Sequence, residues 1–155
     1  MMVLLLTILV LLIDLGIKYY VQSHMTLGVS IPIIEGAFHI TYILNPGAAF
    51  GILAYQRTLL LTVAVGALAG LLYAYNYIFP EHWLVRVGTG LFFGGAIGNI
   101  IDRIQSDHVI DFLDFRVWLV FNSADIGIFS GMCCLIYGLL FAQETQLKSI
   151  SEGKE

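Results

Sequence analysis

Four aspartates lie in or beside apolar stretches: Asp14, Asp102, Asp111 and Asp125. A carboxylate is costly to keep in such surroundings, so each one calls for a partner or a task. Asp14 is followed one helical turn later by Lys18, and the two can pair on one helix face. We favour that ion pair, orienting the end of the first apolar stretch, over a direct catalytic role. Asn99, Asp102 and Arg103 stand at i, i+3 and i+4. If the third stretch stays helical to its end, they project from one face at the water boundary. The same spacing also describes a polar helix terminus reaching for headgroups. Asp111 sits in Val109-Ile110-Asp111-Phe112, and Asp125 closes Phe121-Asn122-Ser123-Ala124-Asp125. Asp125 directly precedes an apolar run, so it also reads as a helix cap, and Asp111 with Asp114 also reads as a solvated acidic loop. Asp107 and Asp114 are read as surface acids.

Other chemistries find little support. No H-E-x-x-H occurs among the four histidines, which argues against a zinc protease, and we read His24, His39, His82 and His108 as interfacial. No G-x-S-x-G is present and no serine has an obvious His or Lys partner, which argues against serine chemistry. The adjacent Cys133 and Cys134 lie in an apolar run, where a disulfide between neighbours is strained and thiolates are disfavoured; they are read as inert packing residues. The seven Lys and Arg are scattered singly, so there is no basic patch of the kind nucleic acids require. A net charge of -4 says little more about partners.

The elements that must position these residues are membrane spans. The chain has 155 residues, 59% of them apolar and only 12% charged, and a mean hydropathy of +0.88, which suits lipid rather than water as the solvent. A helix needs roughly 20 apolar residues to cross a bilayer core. Stretches at about 1–20, 58–79, 84–101 and 126–143 approach that length, so one integral membrane domain with four spans is expected. Met1–Ile13 carries no basic n-region and no A-x-A-like cleavage site, and the apolar run continues through Asp14 to Tyr20, so it reads as a retained span rather than a signal peptide. Pro80 and Glu81 mark a turn between the second and third spans. Small residues recur four apart at Gly66 and Gly70, at Gly90, Gly94 and Gly98, and at Gly127 and Gly131, a spacing that predicts close helix packing. The connection 21–57 contains the alternating Phe38-His39-Ile40-Thr41-Tyr42 and the breakers Pro32, Gly36 and Asn45-Pro46-Gly47, which predicts a few short strands at the membrane surface. The connection 102–125 holds five of the eleven acids, and the tail 144–155 is polar and read as solvated. The fold class is thus membrane all-α: a four-helix transmembrane bundle with a small extramembrane β element. Basic residues divide as Arg86, Lys148 and Lys154 against Lys18, Arg57, Arg103 and Arg116, so charge bias alone does not orient the chain.

Taken in order, Asp14-x-x-x-Lys18, Asn45-Pro46-Gly47-Ala48-Ala49-Phe50, Gly98-Asn99-x-x-Asp102-Arg103, Val109-x-Asp111-Phe112 and Phe121-Asn122-x-Ala124-Asp125 resemble the five motifs of the lipoprotein signal peptidase family. The resemblance runs from Asp14 to Asp125. It implies a membrane-embedded aspartyl endopeptidase that removes the signal peptide from diacylglyceryl-modified prolipoproteins, cleaving before the lipidated cysteine. By motif, Asp111 and Asp125 would be the catalytic pair. Asn45, Gly47, Asn99, Asp102, Arg103 and Asn122 would line or support the site, with Asp14 and Lys18 behind them. Two carboxylates sharing one proton can act as base towards water and as acid towards the carbonyl oxygen and leaving amine, because like charges in contact cannot both ionise. The resemblance implies no metal and no organic cofactor. The implied partners are the lipid-modified prolipoprotein and membrane lipid, with no nucleic acid and no obligatory protein partner. The implied location is the bacterial cytoplasmic (inner) membrane, with both termini cytoplasmic and the site towards the outer face. The chain departs from the usual pattern at Leu15, Gly16 and Ile17, where the family tends to carry polar side chains, and in its short Asp111–Asp125 segment. The rival reading is a small oligomeric transporter or proton or cation pathway that uses Asp14, Asp102, Asp111 and Asp125.

Overall fold

The computed structural model describes residues 1–47, 53–77 and 82–152, with side chains described as far as residue 141. The expected turn at Pro80 and Glu81 lies outside these residues, as do Ala48, Ala49 and Phe50. Four long helices carry the apolar stretches: α1 Met2–His24, α2 Arg57–Tyr77, α3 Trp83–Ser106 and α4 Ser123–Glu152. All four are long and apolar enough to cross a membrane, the fourth over Ser123–Phe141. Leucines such as Leu4, Leu5, Leu9 and Leu12 stay exposed on α1, as they should where hydrocarbon is the solvent. Helices α1, α3 and α4 extend beyond the apolar stretches, because helical hydrogen bonding continues into polar sequence wherever no Pro or Gly stops it. In particular, the polar tail is helical through Glu152.

Helix α3 is the hub. Half of its membrane window is buried within the chain, against none of that of α2. The glycines explain the difference. A Cβ at Gly90 or Gly94 would meet Val3, Leu6, Thr7 or Val10 of α1, and one at Gly88 or Gly95 would meet the α4 backbone. The predicted small-residue packing therefore operates between α1, α3 and α4. It does not operate on α2: nothing lies within 4 Å of a Cβ at Gly66 or Gly70, so packing through these two is corrected. Cys133 is likewise exposed rather than packed, and only Cys134 is partly buried.

The extramembrane element is a three-stranded antiparallel sheet of order β1-β2-β3, formed by Ser30–Ile34, Phe38–Asn45 and Val109–Asp114. Gly36, at φ +70°, makes the β1–β2 turn. The sheet packs on the last turns of α1 through a cluster of Val21, Tyr42, Ile110 and Phe112. In the β2–β3 register Ile43 faces Asp111 and Asn45 faces Val109, with a bulge between Ile40 and Ile43. That pairing sets the end of β2 level with the start of β3.

Candidate active site

The ends of α3 and β2, the strand β3 and the start of α4 meet at one point. Asp111 is 1% exposed and accepts hydrogen bonds from Asn45 Nδ2 at 2.8 Å and Asn122 Nδ2 at 2.7 Å. Asp125 accepts from Asn99 Nδ2 at 2.8 Å and from the Asn122 backbone N–H at 3.3 Å. Asn122 therefore binds both carboxylates. Its own Oδ1 accepts from the Asp125 N–H at 2.9 Å, so Asn122 and Asp125 form a reciprocal capping box on α4. The helix-cap reading of Asp125 is right in itself, and Asp125 also lines the cavity that Asp111 lines. Burial pushes the Asp111 carboxyl up to about 7; the nearby Asp125 adds to this, while the Asn45 and Asn122 hydrogen bonds and the more distant Lys18 oppose it.

Both carboxylates open on a cavity of about 1170 Å³ between α2, α3 and α4. Its polar end includes Asn45, Asn99 and Arg103, and its long apolar walls include Val63 and Ala67 of α2, Phe92 of α3, and Phe129 and Met132 of α4. The loosely held α2 has its consequence here, since it forms a wall without filling the space. Its first residue, Arg57, is tied to the far end of α3 by an ion pair with Asp107 and a 2.9 Å hydrogen bond to the Ile104 carbonyl.

The remaining expected residues fall into two groups. Asn45, Gly47, Asn99 and Arg103 line the cavity. Asn45 Oδ1 accepts from the Gly47 N–H, an Asx turn that aims its amide nitrogen at Asp111. Arg103 donates to the Gly47 carbonyl at 2.9 Å and so fastens this turn to α3. Asp14, Lys18 and Asp102 lie behind the cavity. Lys18 makes ion pairs with Asp14 at 2.7 Å and Asp102 at 2.8 Å. The Asp14 contact is one of charge, because Asp14 Oδ2 makes no aligned hydrogen bond. Asn99 and Asp102 are both buried, but Asn99 and Arg103 line the cavity, whereas Asp102 is turned to β3, where it accepts the Ile110 N–H at 3.1 Å.

Two roles were not legible in the sequence. Asp14 Oδ1 accepts Ser123 Oγ at 2.6 Å and the Ala124 N–H at 2.8 Å, which places a carboxylate from α1 at the N-terminus of α4. Asp114, expected at the surface, is 4% exposed and accepts from Thr41 Oγ1, the Arg116 backbone and the Arg116 guanidinium. Its burial follows from its place on β3 opposite His39, a register no local pattern reveals. Among the described residues, no group of three or more His, Cys, Asp or Glu stands together as a metal site.

Comparison with known proteins gives the family. The family model described as signal peptidase (SPase) II matches residues 6–141. The lipoprotein signal peptidase of Pelotomaculum thermopropionicum is 48% identical over 131 residues, covering 84% of this chain and 86% of the relative. That of Moorella thermoacetica is 44% identical over 137 residues, covering 88% and 91%. A bacterial membrane enzyme solved by the in meso method superposes with a TM-score of 0.85 at 30% identity, covering 92% of this chain and 90% of that one. The buried acids, the four spans and these matches converge: the chain belongs to the signal peptidase II family and is a multi-pass membrane peptidase.

Proposed function

We propose that this peptidase removes the signal peptide from diacylglyceryl-modified prolipoproteins, cutting before the lipidated cysteine with a water activated between Asp111 and Asp125. The observation that carries this reading is the shared hold of Asn122 on the buried Asp111 and the half-buried Asp125, whose carboxylates open on one cavity. Asp111, raised to about 7, keeps the shared proton in weakly acidic to neutral water, and Asp125 is the base that takes a proton from the attacking water. The proton on Asp111 then goes to the carbonyl oxygen or the leaving amine, and the pair titrates as a unit. Asn99 donates to the ionised Asp125 and Asn45 orients Asp111, while Arg103 holds the Asn45–Gly47 turn and adds positive potential where the oxyanion develops. The apolar walls between α2 and α4 take the substrate's acyl chains, so membrane lipid is part of the binding site.

In this reading the chain sits in the bacterial inner membrane. The helix ends that bear the site and the sheet are on the outer face, and both termini are cytoplasmic. No metal, organic cofactor or obligatory protein partner is involved. The test uses purified protein in nanodiscs with a lipidated precursor: Asp111→Asn and Asp125→Asn should each lower kcat by roughly 10²–10⁴-fold while the melting profile stays near wild type. Near-normal cleavage by either variant would overturn the two-carboxylate mechanism, and equal cleavage of an unlipidated precursor would overturn the substrate assignment.

A further inference from the structure

The cavity has no lining residue from α1. Yet α1 supplies two deeply buried charges beside the site, Asp14 at 0% and Lys18 at 2% exposure. The ammonium of Lys18 rests between the carboxylates of Asp14 and Asp102, and the hydrogen bond it donates goes to Asn99 Oδ1 at 3.0 Å. That oxygen also accepts from Asn122 Nδ2 at 3.2 Å, which fills both of its lone pairs. Asn99 must therefore point its amide nitrogen the other way, where it donates to Asp125 Oδ1 at 2.8 Å.

An asparagine amide is nearly symmetric in shape, and its orientation is decided by its partners. A flipped Asn99 would press its NH₂ group on a buried ammonium and aim a carbonyl oxygen at a carboxylate. Both contacts are repulsive, so Lys18 makes the flip unfavourable at both ends. Asn122 is locked by a different device, since its oxygen receives the Asp125 N–H in the helix cap and its nitrogen is left for Asp111.

We infer that Lys18 is a positioning residue for the reaction: by engaging Asn99 Oδ1 it commits the Asn99 amide to donate to Asp125, and so holds that carboxylate in its ionised, water-activating form. Lys18 makes no hydrogen bond or ion pair with Asp111 or Asp125, and its positioning role runs through Asn99. This rests on the catalytic roles proposed above for the two aspartates. It goes beyond them by giving the buried ion cluster a task other than joining helices.

Lys18→Met alone strips Asp14 and Asp102 of their counter-charge and is open to misfolding. A charge-matched route avoids this. The wild-type cluster of Asp14, Lys18 and Asp102 carries -1 in sum, and Lys18→Gln combined with Asp102→Asn also carries -1. A double-mutant cycle is therefore built in an Asp102→Asn background from Lys18→Gln, Asn99→Leu and both together, and assayed on a lipidated precursor in nanodiscs. Lys18→Gln should lower kcat roughly tenfold with KM within about twofold, and it should have no further effect once Asn99 is leucine. Multiplicative losses, an effect confined to KM, or an unchanged kcat would each overturn the inference. Asp125→Asn, run alongside, separates the two levels. If it is inactive while Lys18→Gln is unimpaired, the positioning role alone fails; if Asp125→Asn stays active, the catalytic assignment fails and takes this inference with it.

Discussion

Replacing Asp14 by alanine should disturb the start of α4 from a position on α1. The carboxylate gives Lys18 one of its two counter-charges, at 2.7 Å, and gives the first turn of α4 two acceptor contacts, at 2.6 and 2.8 Å. Breaking a buried pair outright costs about 3–5 kcal/mol, but Lys18 keeps Asp102, so the lower end applies. Losing an acceptor at a helix N-terminus adds about 1–2 kcal/mol. Asp14→Ala should therefore destabilise the protein by roughly 4–5 kcal/mol. Asp14→Asn, which loses the charge but keeps an oxygen for Ser123 and Ala124, should cost roughly 1–3 kcal/mol. Denaturant unfolding in micelles, followed by Trp83 and Trp118 fluorescence, measures the total. Amide hydrogen exchange at Ala124 and Asp125 reads the local part, which should be lost in Asp14→Ala and largely kept in Asp14→Asn. If Asp14→Ala is within about 1 kcal/mol of wild type, or if the two variants are equally damaging, the reasoning about this cap is wrong.

Other outcomes follow from the same geometry. With Asp111 raised to about 7, kcat/KM should fall as the pH rises through about 7 and the pair loses its shared proton, as a pH–rate profile will show. The folded-state value lies above the unfolded value of about 3.9, so this group's contribution to stability is fully present below pH ~4 and is lost as the pH rises through about 7. Melting curves across that window should show the trend in wild type and a flatter one in Asp111→Asn. Asn122→Ala removes the side-chain donor to Asp111 and the cap acceptor of α4, while the backbone N–H to Asp125 stays; kcat should fall at least about 100-fold, with roughly 0.5–2 kcal/mol lost in unfolding experiments. Gly95→Ala would place a Cβ against the Ala124 carbonyl and should cost about 1–3 kcal/mol, whereas Gly66→Ala, with nothing within 4 Å, should be neutral or gain up to ~1 kcal/mol of helix propensity. Parallel unfolding measurements decide between them.

Much of the architecture is written in local pattern. Uninterrupted apolar length produces α1 to α4, because a bilayer leaves the backbone no partner but itself. Alternation and the breakers at Gly36 and Asn45-Pro46-Gly47 mark the strands that became β1 and β2, whereas Pro32 lies within the edge strand β1 instead of breaking it. The i, i+4 pairing of Asp14 with Lys18 is local too, and it forms. Burial of Asp114, the idleness of Gly66 and Gly70, and the separation of Asp102 from Asn99 and Arg103 are of another kind, since each depends on which neighbour arrives from elsewhere in the chain.

From sequence alone came the membrane class, the spans, the small sheet and the roster of polar residues that resemble a peptidase site. These depend on composition, on periodicity and on motifs a few residues long. Tertiary structure alone decided that Asp111 and Asp125 share Asn122, that α2 stands off to leave a cavity, and that Asp14 and Lys18 reach α4 and Asn99 across more than eighty residues of chain. The physical reason is that a side chain's partners are set by helix rotation and strand register, and these are fixed only when close-packed elements settle against one another.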